Sequence, residues 1–512
     1  MFLFNFKFLK NRPGVPSALI PWLALVSVLL LRLSFPRAGF WPLAWFAFLP
    51  LFLALEKTDT AKTLGVSFAA GFVFYISLLF WLIHVTIPGM AVLSFYLALY
   101  FAVFGLGWNY ARAHLSYGAR LVFSPCLWVL LEYIRSHLFT GFPWGLLAYT
   151  QTPCIPALQG ADLVGSWGLS FVIVFVNVFL FEVLFPKMGE RRSRLAHAAP
   201  LCLIALWFLY GAWRAWEKPR EQCFLKVAVV QGNIPQEIKW APRFREGIFR
   251  KHVLLSEISL LKHEPDLIVW PETSFTEYLE LGENDGELAD LARRLKTPLL
   301  IGSIRFDEGR YFNSALLYDS AGEMRTLYNK LHLVPFGEYI PGRKFLPFVE
   351  SVLPIEDFTP GSDATLFSLP SRTCLKDLRF GVLVCFEDIF PELARAFVLK
   401  GADFLVNMTN DGWFGDTSSP FQHMQASVLR AVENRVYVVR SANTGVSCVI
   451  DDAGRVVSLV DEAGRRTFVK GEACGFVAPT PRSALYTVIG DLFIPFACAG
   501  IFGMIGARRR RP

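Results

Sequence analysis

The chain has 512 residues, of which 54% are hydrophobic and 18% are charged, and its mean hydropathy is +0.41. This composition excludes a disordered chain and is too apolar for an ordinary soluble protein. The formal net charge of +7 is modest and lies largely in short loops and in the tail at 508–511, which favours membrane topology over nucleic-acid binding. We therefore predict a lipid bilayer as a partner and no nucleic acid.

Eight apolar segments are close to the roughly 20 residues that a helix needs to cross a bilayer. They are residues 15–33, 40–55, 64–85, 91–111, 121–138, 164–185, 196–216 and 486–505. The first two are short, so a single re-entrant hairpin is an alternative, but their polar junction and Pro36 favour two spans. We predict an α-helical membrane domain at 1–216 with seven spans, a globular domain at 217–482, and an eighth span with a basic tail at 483–512.

The distribution of Lys and Arg in short loops predicts the orientation, because these residues mark the cytoplasmic side. They occur at the N-terminus, in the loops after the even-numbered spans and in the tail: Lys7, Lys10, Arg12, Lys57, Lys62, Arg112, Arg120, Lys187, Arg191, Arg192, Arg194 and Arg508 to Arg511. Both termini are therefore predicted to be cytoplasmic, and the 217–482 domain faces the opposite side, hypothetically the periplasm.

One predicted span carries charges. Glu132 and Arg135 lie three residues apart, close to one helical turn, so they can pair on one face of the helix. A structural ion pair and a role in substrate binding are both open for them.

After the first seven spans, short apolar runs alternate with amphipathic stretches. The runs FLKVAVVQGN, DLIVWPE, PLLIGS, LRFGVLVCFE, ADFLVNMTN and YVVRSANTG are predicted strands, and residues 243–262, 286–295, 391–400 and 421–434 are predicted helices. Continuous apolar strands alternating with helices indicate an α/β domain whose sheet is buried by helices. Chemistry is expected just past the carboxyl ends of the strands.

Three residues at such positions form a candidate site: Glu272 after LIVWP, Lys330 in LYNKLHLVPFGEYIP and Cys385 at the end of FGVLVC. A thiol is a strong nucleophile only as thiolate and needs a base or cation nearby. A carboxylate can take the proton and return it to a leaving group, and an ammonium can stabilise an oxyanion. Together the three residue types suffice for acyl transfer, although each alone would more often be structural.

Other kinds of site are disfavoured. There is no Gly-x-Ser-x-Gly sequence for a serine nucleophile, and the nine cysteines contain no CxxC pair, so they are predicted to be isolated thiols with no disulfide framework and no zinc site. The histidines at 252, 263, 332 and 423 lack metal-ligand spacing. We predict no metal and no cofactor.

The sequences WPETSF, NKLHLVPFGEYIP and VCFEDIFPE, in that order, resemble the Glu-Lys-Cys signature of the nitrilase superfamily, over about residues 224–482. With VQGNIPQEIKW, TNDGWFG, TGFPWGLLAYTQ and the eight spans, the whole chain resembles the family of bacterial apolipoprotein N-acyltransferases. The resemblance implies a four-layered α-β-β-α nitrilase-like sandwich beside about eight membrane helices, in a multi-pass protein of the bacterial inner membrane.

The resemblance also implies a reaction. An acyl chain, typically from phosphatidylethanolamine, would form a thioester on Cys385 and pass to the amine of a diacylglyceryl-modified N-terminal cysteine on an apolipoprotein, the final step of lipoprotein maturation. A phospholipid donor and an apolipoprotein acceptor are therefore the expected partners.

The resemblance gives roles to individual residues. Cys385 would be the nucleophile, Glu272 the general base and then acid, and Lys330 the oxyanion stabiliser, aided by a backbone N–H after Cys385. The supporting residues would be Glu338, Glu387 and Phe386, and the substrate-binding residues Trp240, Trp413 and Trp144. Phe386 stands where some relatives have Tyr, so a role that needs the Tyr hydroxyl does not carry over to this chain.

Two long apolar loops, at 339–358 and 411–421, could dip into the outer leaflet and guide acyl chains, or could pack on membrane helices. Two other functions compete with the transferase: a membrane-tethered amidase-like hydrolase that uses water as the acceptor, and a non-enzymatic scaffold with a degenerate domain. The membrane match favours the transferase over the hydrolase, and the presence of all three reactive residues in their local sequences argues against the scaffold.

Overall fold

The chain divides into two compact units, Met1–Glu217 with Ile489–Pro512, and Lys218–Val488. The computed structural model describes residues 15–187, 190, 195–216, 223–280, 285–342, 357–480 and 483–509. The predicted orientation depends partly on basic residues at 7, 10, 12, 191, 192, 194, 510 and 511, which lie outside the described residues. Most of the predicted apolar loop at 339–358 lies outside them as well.

The first unit is helical, and each of the eight predicted apolar segments contains helix. Its helices before the second unit are α1 Ile20–Ser34, α2 Leu49–Leu55, α3 Thr60–Leu78, α4 Ile87–His114, α5 Tyr117–His137, α6 Ile155–Leu158, α7 Ala161–Leu184 and α8 Leu195–Trp216. Long apolar runs favour helices here, because a helix satisfies its backbone groups within the segment. Helices α5 and α8 nevertheless contain Pro125 and Pro200, and α7 is kinked at Gly165.

The predicted count of eight spans is not confirmed. Within the described residues, six helices are long and apolar enough to cross a membrane. The second segment is a short apolar stretch, Trp41–Leu55, which includes the seven-residue α2. Helix α5 has 21 residues but carries Arg120, Glu132 and Arg135, which lower its hydropathy. These charges are buried, and Arg120 pairs with Glu182 at 2.7 Å.

Glu132 and Arg135 hold the irregular segment that follows α5. Arg135 Nη1 donates to the carbonyls of Phe142 and Trp144, both at 2.8 Å. Glu132 Oε1 accepts a hydrogen bond from the Leu147 N–H at 2.8 Å and lies 4.0 Å from Arg135 Nη2. These contacts satisfy backbone groups of a non-helical segment in an apolar unit, which agrees with the structural alternative for this pair.

The second unit contains thirteen strands within the described residues. They are β1 Leu225–Gln231, β2 Leu267–Val269, β3 Phe275–Leu279, β4 Leu299–Asp307, β5 Arg310–Tyr318, β6 Met324–Asn329, β7 Leu366–Leu369, β8 Leu378–Val384, β9 Phe404–Thr409, β10 Tyr437–Ala442, β11 Cys448–Ile450, β12 Val456–Leu459 and β13 Gly471–Val477. The helices that follow α8 are α9 Gln236–Lys239, α10 Arg245–His263, α11 Gly286–Leu295, α12 Pro391–Leu399, α13 Ser419–Asn434, α14 Leu485–Ile489 and α15 Phe493–Arg509, the last of which returns to the first unit.

The strands form two mixed sheets, in the order β13-β1-β2-β4-β5-β6, with β3 paired to β4, and in the order β12-β11-β10-β9-β8-β7. The sheets face each other through β1 and β10, and Ser441 Oγ donates to the carbonyls of Val230 and Val269 across the interface. Helices α10 and α11 cover the first sheet, and α12 and α13 cover the second. The predicted four-layered α-β-β-α sandwich is confirmed.

All six predicted strands and all four predicted helices of this unit are observed. The strands that the sequence analysis missed, β3, β5, β6, β7, β11, β12 and β13, are short or carry polar residues. Several of them pair antiparallel, and antiparallel strands can have one solvated face, which breaks the continuous apolar pattern.

The prediction that all nine cysteines are isolated thiols was wrong for two of them. A disulfide joins Cys223 to Cys374, with their Cα atoms 4.8 Å apart. The two residues are 151 positions apart in sequence, so spacing alone gives no sign of the pair. The bond ties the start of β1 to the β7–β8 turn, where the Phe224 N–H also donates to Thr373 Oγ1 at 2.8 Å.

Candidate active site

Cys385 lies at the sharp turn that follows β8. Strand β8 is apolar and mostly buried because it runs beside β9 within the second sheet. Cys385 then adopts φ +57° and begins a short 3-10 turn, Cys385–Ile389. The side chain is half-buried, and its carbonyl accepts a hydrogen bond from Asn407 Nδ2 at 2.8 Å. A positive φ at a non-glycine residue is unfavourable and is typical of functional turns.

Glu272 and Lys330 come from the facing sheet. Glu272 is the third residue after β2, and Lys330 directly follows β6. Both side chains are buried, and Lys330 Nζ lies 3.8 Å from Glu272 Oε1. The charges of both residues act on the Cys385 thiol. The structure therefore brings the three predicted catalytic residues together at one edge of the sandwich.

Glu338 and Asn313 fix the two charged side chains. The Glu338 carboxylate lies 2.9 Å from Lys330 Nζ and accepts the Val334 N–H at 2.8 Å. Asn313 Nδ2 donates to Glu272 Oε1 at 2.8 Å and to Glu338 Oε1 at 2.7 Å. One amide thus bridges the two carboxylates, and both of its hydrogens are used.

The surrounding charges set the protonation of the thiol and the amine. Burial and the Glu272 carboxylate raise the pKa of Cys385, and the Lys330 ammonium opposes this rise only in part. Burial acts to lower the pKa of Lys330, but the Glu338 carboxylate, then Cys385 in its thiolate form and Glu272, raise it above its ordinary value. The site therefore holds a neutral thiol beside a charged ammonium, and the thiol needs a base to become a nucleophile.

Glu387 joins the turn at Cys385 to the segment after β6. Its carboxylate accepts hydrogen bonds from the N–H groups of Val384 at 2.6 Å, Leu331 at 2.7 Å and His332 at 3.0 Å. The Tyr328 hydroxyl donates to it at 2.9 Å. Burial raises the pKa of Glu387 to about 7, although Lys330 and the backbone donors oppose this. Glu387 thereby links the strand ends that carry the thiol and the ammonium.

Phe386 forms an aromatic wall beside Lys330. Its ring centroid lies 5.4 Å from Lys330 Nζ, within the range of a cation–π contact. The ring also packs edge-on against His332 at 5.5 Å and Phe390 at 5.4 Å. These contacts need an aromatic ring and no hydroxyl.

Trp240 and Trp413 lie on two loops that are joined by a hydrogen bond. Trp240 follows the short helix α9 and is 41% exposed, and Trp413 lies in the 3-10 turn Asp411–Phe414 and is 53% exposed. Asn410 Nδ2 donates to Gln236 Oε1 at 2.9 Å and so connects the two loops. Both tryptophans therefore offer open aromatic surface on connected loops of the second unit.

Trp144, the third predicted substrate-binding tryptophan, belongs to the first unit. It is buried, and its ring centroid lies 5.0 Å from that of Trp81 and 6.4 Å from that of Phe142. Its carbonyl accepts a hydrogen bond from Arg135. Packing within the first unit accounts for these contacts.

A buried charged cluster lies behind the Cys385 turn. His423 Nδ1 contacts Asp411 Oδ1 at 2.8 Å and His423 Nε2 contacts Asp388 Oδ1 at 2.9 Å. Arg440 bonds both carboxylates, and it also donates to Asn407 Oδ1 at 2.7 Å. Burial and Arg440 oppose a positive imidazole, but the two carboxylates raise the pKa of His423 to about 8. The cluster ties the Cys385 turn to the loop of Trp413.

Sequence analysis missed several residues of this site. Asn313 lies inside β5, RYFNSALLY, and the one feature of the sequence that could have pointed to it is that it is a polar residue within this run. Lys239 is buried and donates to the Glu272 carbonyl at 3.1 Å, and its signal was its place beside Trp240. Within the described parts of the chain, no group of three or more His, Cys, Asp or Glu residues is arranged to hold a metal ion.

Comparison with known proteins agrees with both units. Residues 27–179 match the model of the apolipoprotein N-acyltransferase N-terminal domain, and residues 226–469 match that of the carbon-nitrogen hydrolase family. An apolipoprotein N-acyltransferase of Geobacter metallireducens is 38% identical over 511 residues, covering 95% of each chain. Enzymes of the same name from Allorhizobium ampelinum and Agrobacterium fabrum are 34% and 33% identical, covering 85% and 94% of this chain and 86% and 94% of their own lengths. On these matches, the chain belongs to the apolipoprotein N-acyltransferase family.

Proposed function

We propose that this protein moves an acyl chain from a phospholipid onto Cys385 and then onto the N-terminal amine of a diacylglyceryl-modified apolipoprotein. The observation that carries the proposal is the buried Glu272–Lys330 pair beside the strained turn of Cys385, in a chain that also has six apolar helices of spanning length among its described residues. The apolipoprotein N-acyltransferase family, to which its relatives belong, supports the acceptor.

The first half-reaction requires a base and an oxyanion site. Glu272 takes the proton of the Cys385 thiol, and the sulfur attacks the ester carbonyl of the phospholipid. Lys330 and the main-chain N–H after Cys385 stabilise the oxyanion. Glu272 returns the proton to the leaving alkoxide, so that a thioester and a lysophospholipid are the products.

The second half-reaction uses the same groups. The acceptor amine attacks the thioester carbonyl, Glu272 removes a proton from the amine, and the thiol of Cys385 leaves with a proton. An amide and the free enzyme result, which is a ping-pong sequence. Glu338 orients Lys330, and Glu387 holds the Cys385 turn beside the segment that carries Lys330. The short contacts of both carboxylates support these roles.

Aromatic side chains supply the proposed contact with lipid. We assign substrate contact to Trp240 and Trp413, whose rings are partly exposed, and a supporting wall to Phe386. Trp144 stays a proposed substrate-binding residue on the basis of the resemblance alone. The loop at 411–421 is suited to acyl-chain contact because Trp413 extends from it.

We also propose that the catalytic domain, 217–482, lies on the periplasmic face of the bacterial inner membrane, that both termini are cytoplasmic and that α2 and α5 count toward eight spans. The alternation of basic loops supports this orientation. The disulfide between Cys223 and Cys374 supports it independently, because disulfides persist in oxidising compartments such as the periplasm.

Acceptor choice tests the proposal against its hydrolase rival. The purified full chain is loaded with phosphatidylethanolamine and then given either a diacylglyceryl-cysteine peptide or buffer alone. The proposal predicts rapid N-acylation of the peptide and slow release of free fatty acid without it. Release of fatty acid at the same rate in both cases would instead identify a hydrolase.

A further inference from the structure

A second lysine lies buried beside the candidate triad. Lys239 ends the short helix α9, and it is only 2% exposed. Its Nζ donates to the main-chain carbonyl of Glu272 at 3.1 Å and to Thr273 Oγ1 at 2.6 Å. The half-reactions described above leave this ammonium without a role.

The two acceptors belong to an unfavourable turn. Thr273 has φ +46°, a left-handed conformation that a β-branched residue rarely adopts. The turn also presses on β4 at Gly302, where a Cβ would lie 2.5 Å from the Pro271 carbonyl oxygen and 2.7 Å from Glu272 Cα. Such a conformation persists only when the surrounding structure holds it in place, and Lys239 bonds both residues that form it.

Burial makes this ammonium unfavourable unless its hydrogen bonds compensate. Burial lowers the pKa of Lys239 to about 8, and the Glu272 carboxylate, together with Cys385 in its thiolate form, opposes this lowering. The charge of Lys239 therefore acts on the same two residues that exchange a proton in the proposed reaction. A buried lysine that only filled space could be replaced by an apolar residue of similar length.

We propose that Lys239 is a positioning residue for the acyl transfer, holding the Glu272–Thr273 turn so that the Glu272 carboxylate faces the Cys385 thiol. The inference rests on the proposed function. Lys239 acts through Glu272 and does not itself contact the reacting acyl group. Its removal therefore affects the chemical step and leaves lipid binding in place.

The test measures the initial rate of thioester formation on Cys385 by the full chain in detergent micelles, over a range of phosphatidylethanolamine concentrations. Here kcat denotes the maximal rate constant of this single-turnover step, and KM the lipid concentration that gives half of that rate. Lys239→Met keeps the length of the side chain and removes both hydrogen bonds. We expect kcat to fall by about 10-fold to 100-fold, the effect of a small misplacement of a catalytic group, with little change in KM. Lys226→Met is the matched control, because Lys226 lies at the N-terminal end of β1, whereas Lys239 follows its C-terminal end. Lys226 donates to the His263 carbonyl.

A second pair of variants separates positioning from loss of fold. Thr273→Val removes the hydroxyl acceptor and keeps the shape of the side chain, whereas Thr273→Ser keeps the acceptor. We expect Thr273→Val to lower kcat and Thr273→Ser to retain most of it. The double variant of Lys239→Met and Thr273→Val should be no slower than Lys239→Met alone, because both changes release the same turn.

The outcomes are distinct. If the parent chain forms no thioester, the proposed function fails and takes the inference with it. If the parent chain and Lys239→Met form it at equal rates, only the inference is overturned. Losses that multiply in the double variant, or a loss confined to KM, would also overturn it.

Discussion

Replacing Asn313 should impair both the stability and the chemistry of the site. Its amide donates to the carboxylates of Glu272 and Glu338 at 2.8 and 2.7 Å. A hydrogen bond to a charged group contributes about 1.5–3 kcal/mol, so Asn313→Ala should lower the free energy of unfolding by about 3 kcal/mol or more. Asn313→Asp should lower it further, because a third carboxylate would replace the donor between two others.

The rate should follow the same order. Without the bridge, the Glu272 carboxylate is free to turn away from Cys385, and thioester formation should slow by about 10-fold to 100-fold in Asn313→Ala. Chemical denaturation and thioester formation of the full chain in detergent give the two quantities. The control is Ser314→Ala, because Ser314 points to the other face of β5 and donates to Asn329 Oδ1 at 2.7 Å. Parent-like stability and rate in Asn313→Ala, or an Asn313→Asp variant faster than Asn313→Ala, would refute the reasoning.

Three further predictions concern groups outside the triad. Glu387→Gln should misplace the Cys385 turn, because an amide cannot accept all four hydrogen bonds of the carboxylate. Thioester formation should then slow by about 10-fold or more, as small misplacements of catalytic groups do. An unchanged rate would contradict this. Burial and Arg440 oppose the charge of His423, but the carboxylates of Asp388 and Asp411 raise its pKa from 6.5 to about 8. The folded state therefore holds the proton more tightly than the unfolded state. The resulting stability, about 2 kcal/mol, should be complete below pH 6.5 and lost as the pH rises through about 8; denaturation curves of His423→Gln should lack this dependence. Cys223 and Cys374 should resist a maleimide in intact cells until a reductant is added. Replacing both with Ser should lower the free energy of unfolding by about 2–4 kcal/mol. Free thiols at these two positions in untreated cells would contradict the periplasmic location.

Sequence patterns were sufficient for the α/β class and the principal strands of the second unit, whereas its four layers were implied by the resemblance to the nitrilase superfamily. The runs that become β1, β8, β9 and β10 are mostly apolar because these strands are largely buried, although each carries one or more polar residues. Cys385 and Glu272 could be proposed because each follows a predicted strand. Lys330 follows β6, which the sequence analysis missed, and was proposed from its place in LYNKLHLVPFGEYIP. Their contacts across two sheets are not a property of any local sequence.

The residues that hold the triad in place were less predictable. Asn313 bridges two carboxylates that are 41 and 25 positions away from it, and Lys239 bonds a backbone carbonyl 33 positions away. Such contacts depend on the packing of one loop against another and leave no periodic signal. The disulfide has the same character, since Cys223 and Cys374 meet only after the two sheets have formed.

The number of membrane spans was difficult to predict because several apolar segments contain charged residues. Length and hydropathy predicted a span at α5. Its Arg120 pairs with Glu182 from another helix, whereas Glu132 and Arg135 lie beside each other and bond backbone groups of the following segment. Composition alone cannot show whether a charge inside an apolar helix is paired. The loop at 411–421 could likewise be identified by its length, although the bond between Asn410 and Gln236 that joins it to the Trp240 loop could not.

The most direct test of the central claim is mass spectrometry of the purified full chain after incubation with phosphatidylethanolamine. The account predicts an acyl adduct on the peptide that contains Cys385, removed by hydroxylamine, formed in Lys226→Met and absent from Cys385→Ala. A parent chain that transfers acyl groups to the acceptor peptide without any such adduct, or a Cys385→Ala variant that remains active, would contradict the assignment of Cys385 as the acyl carrier.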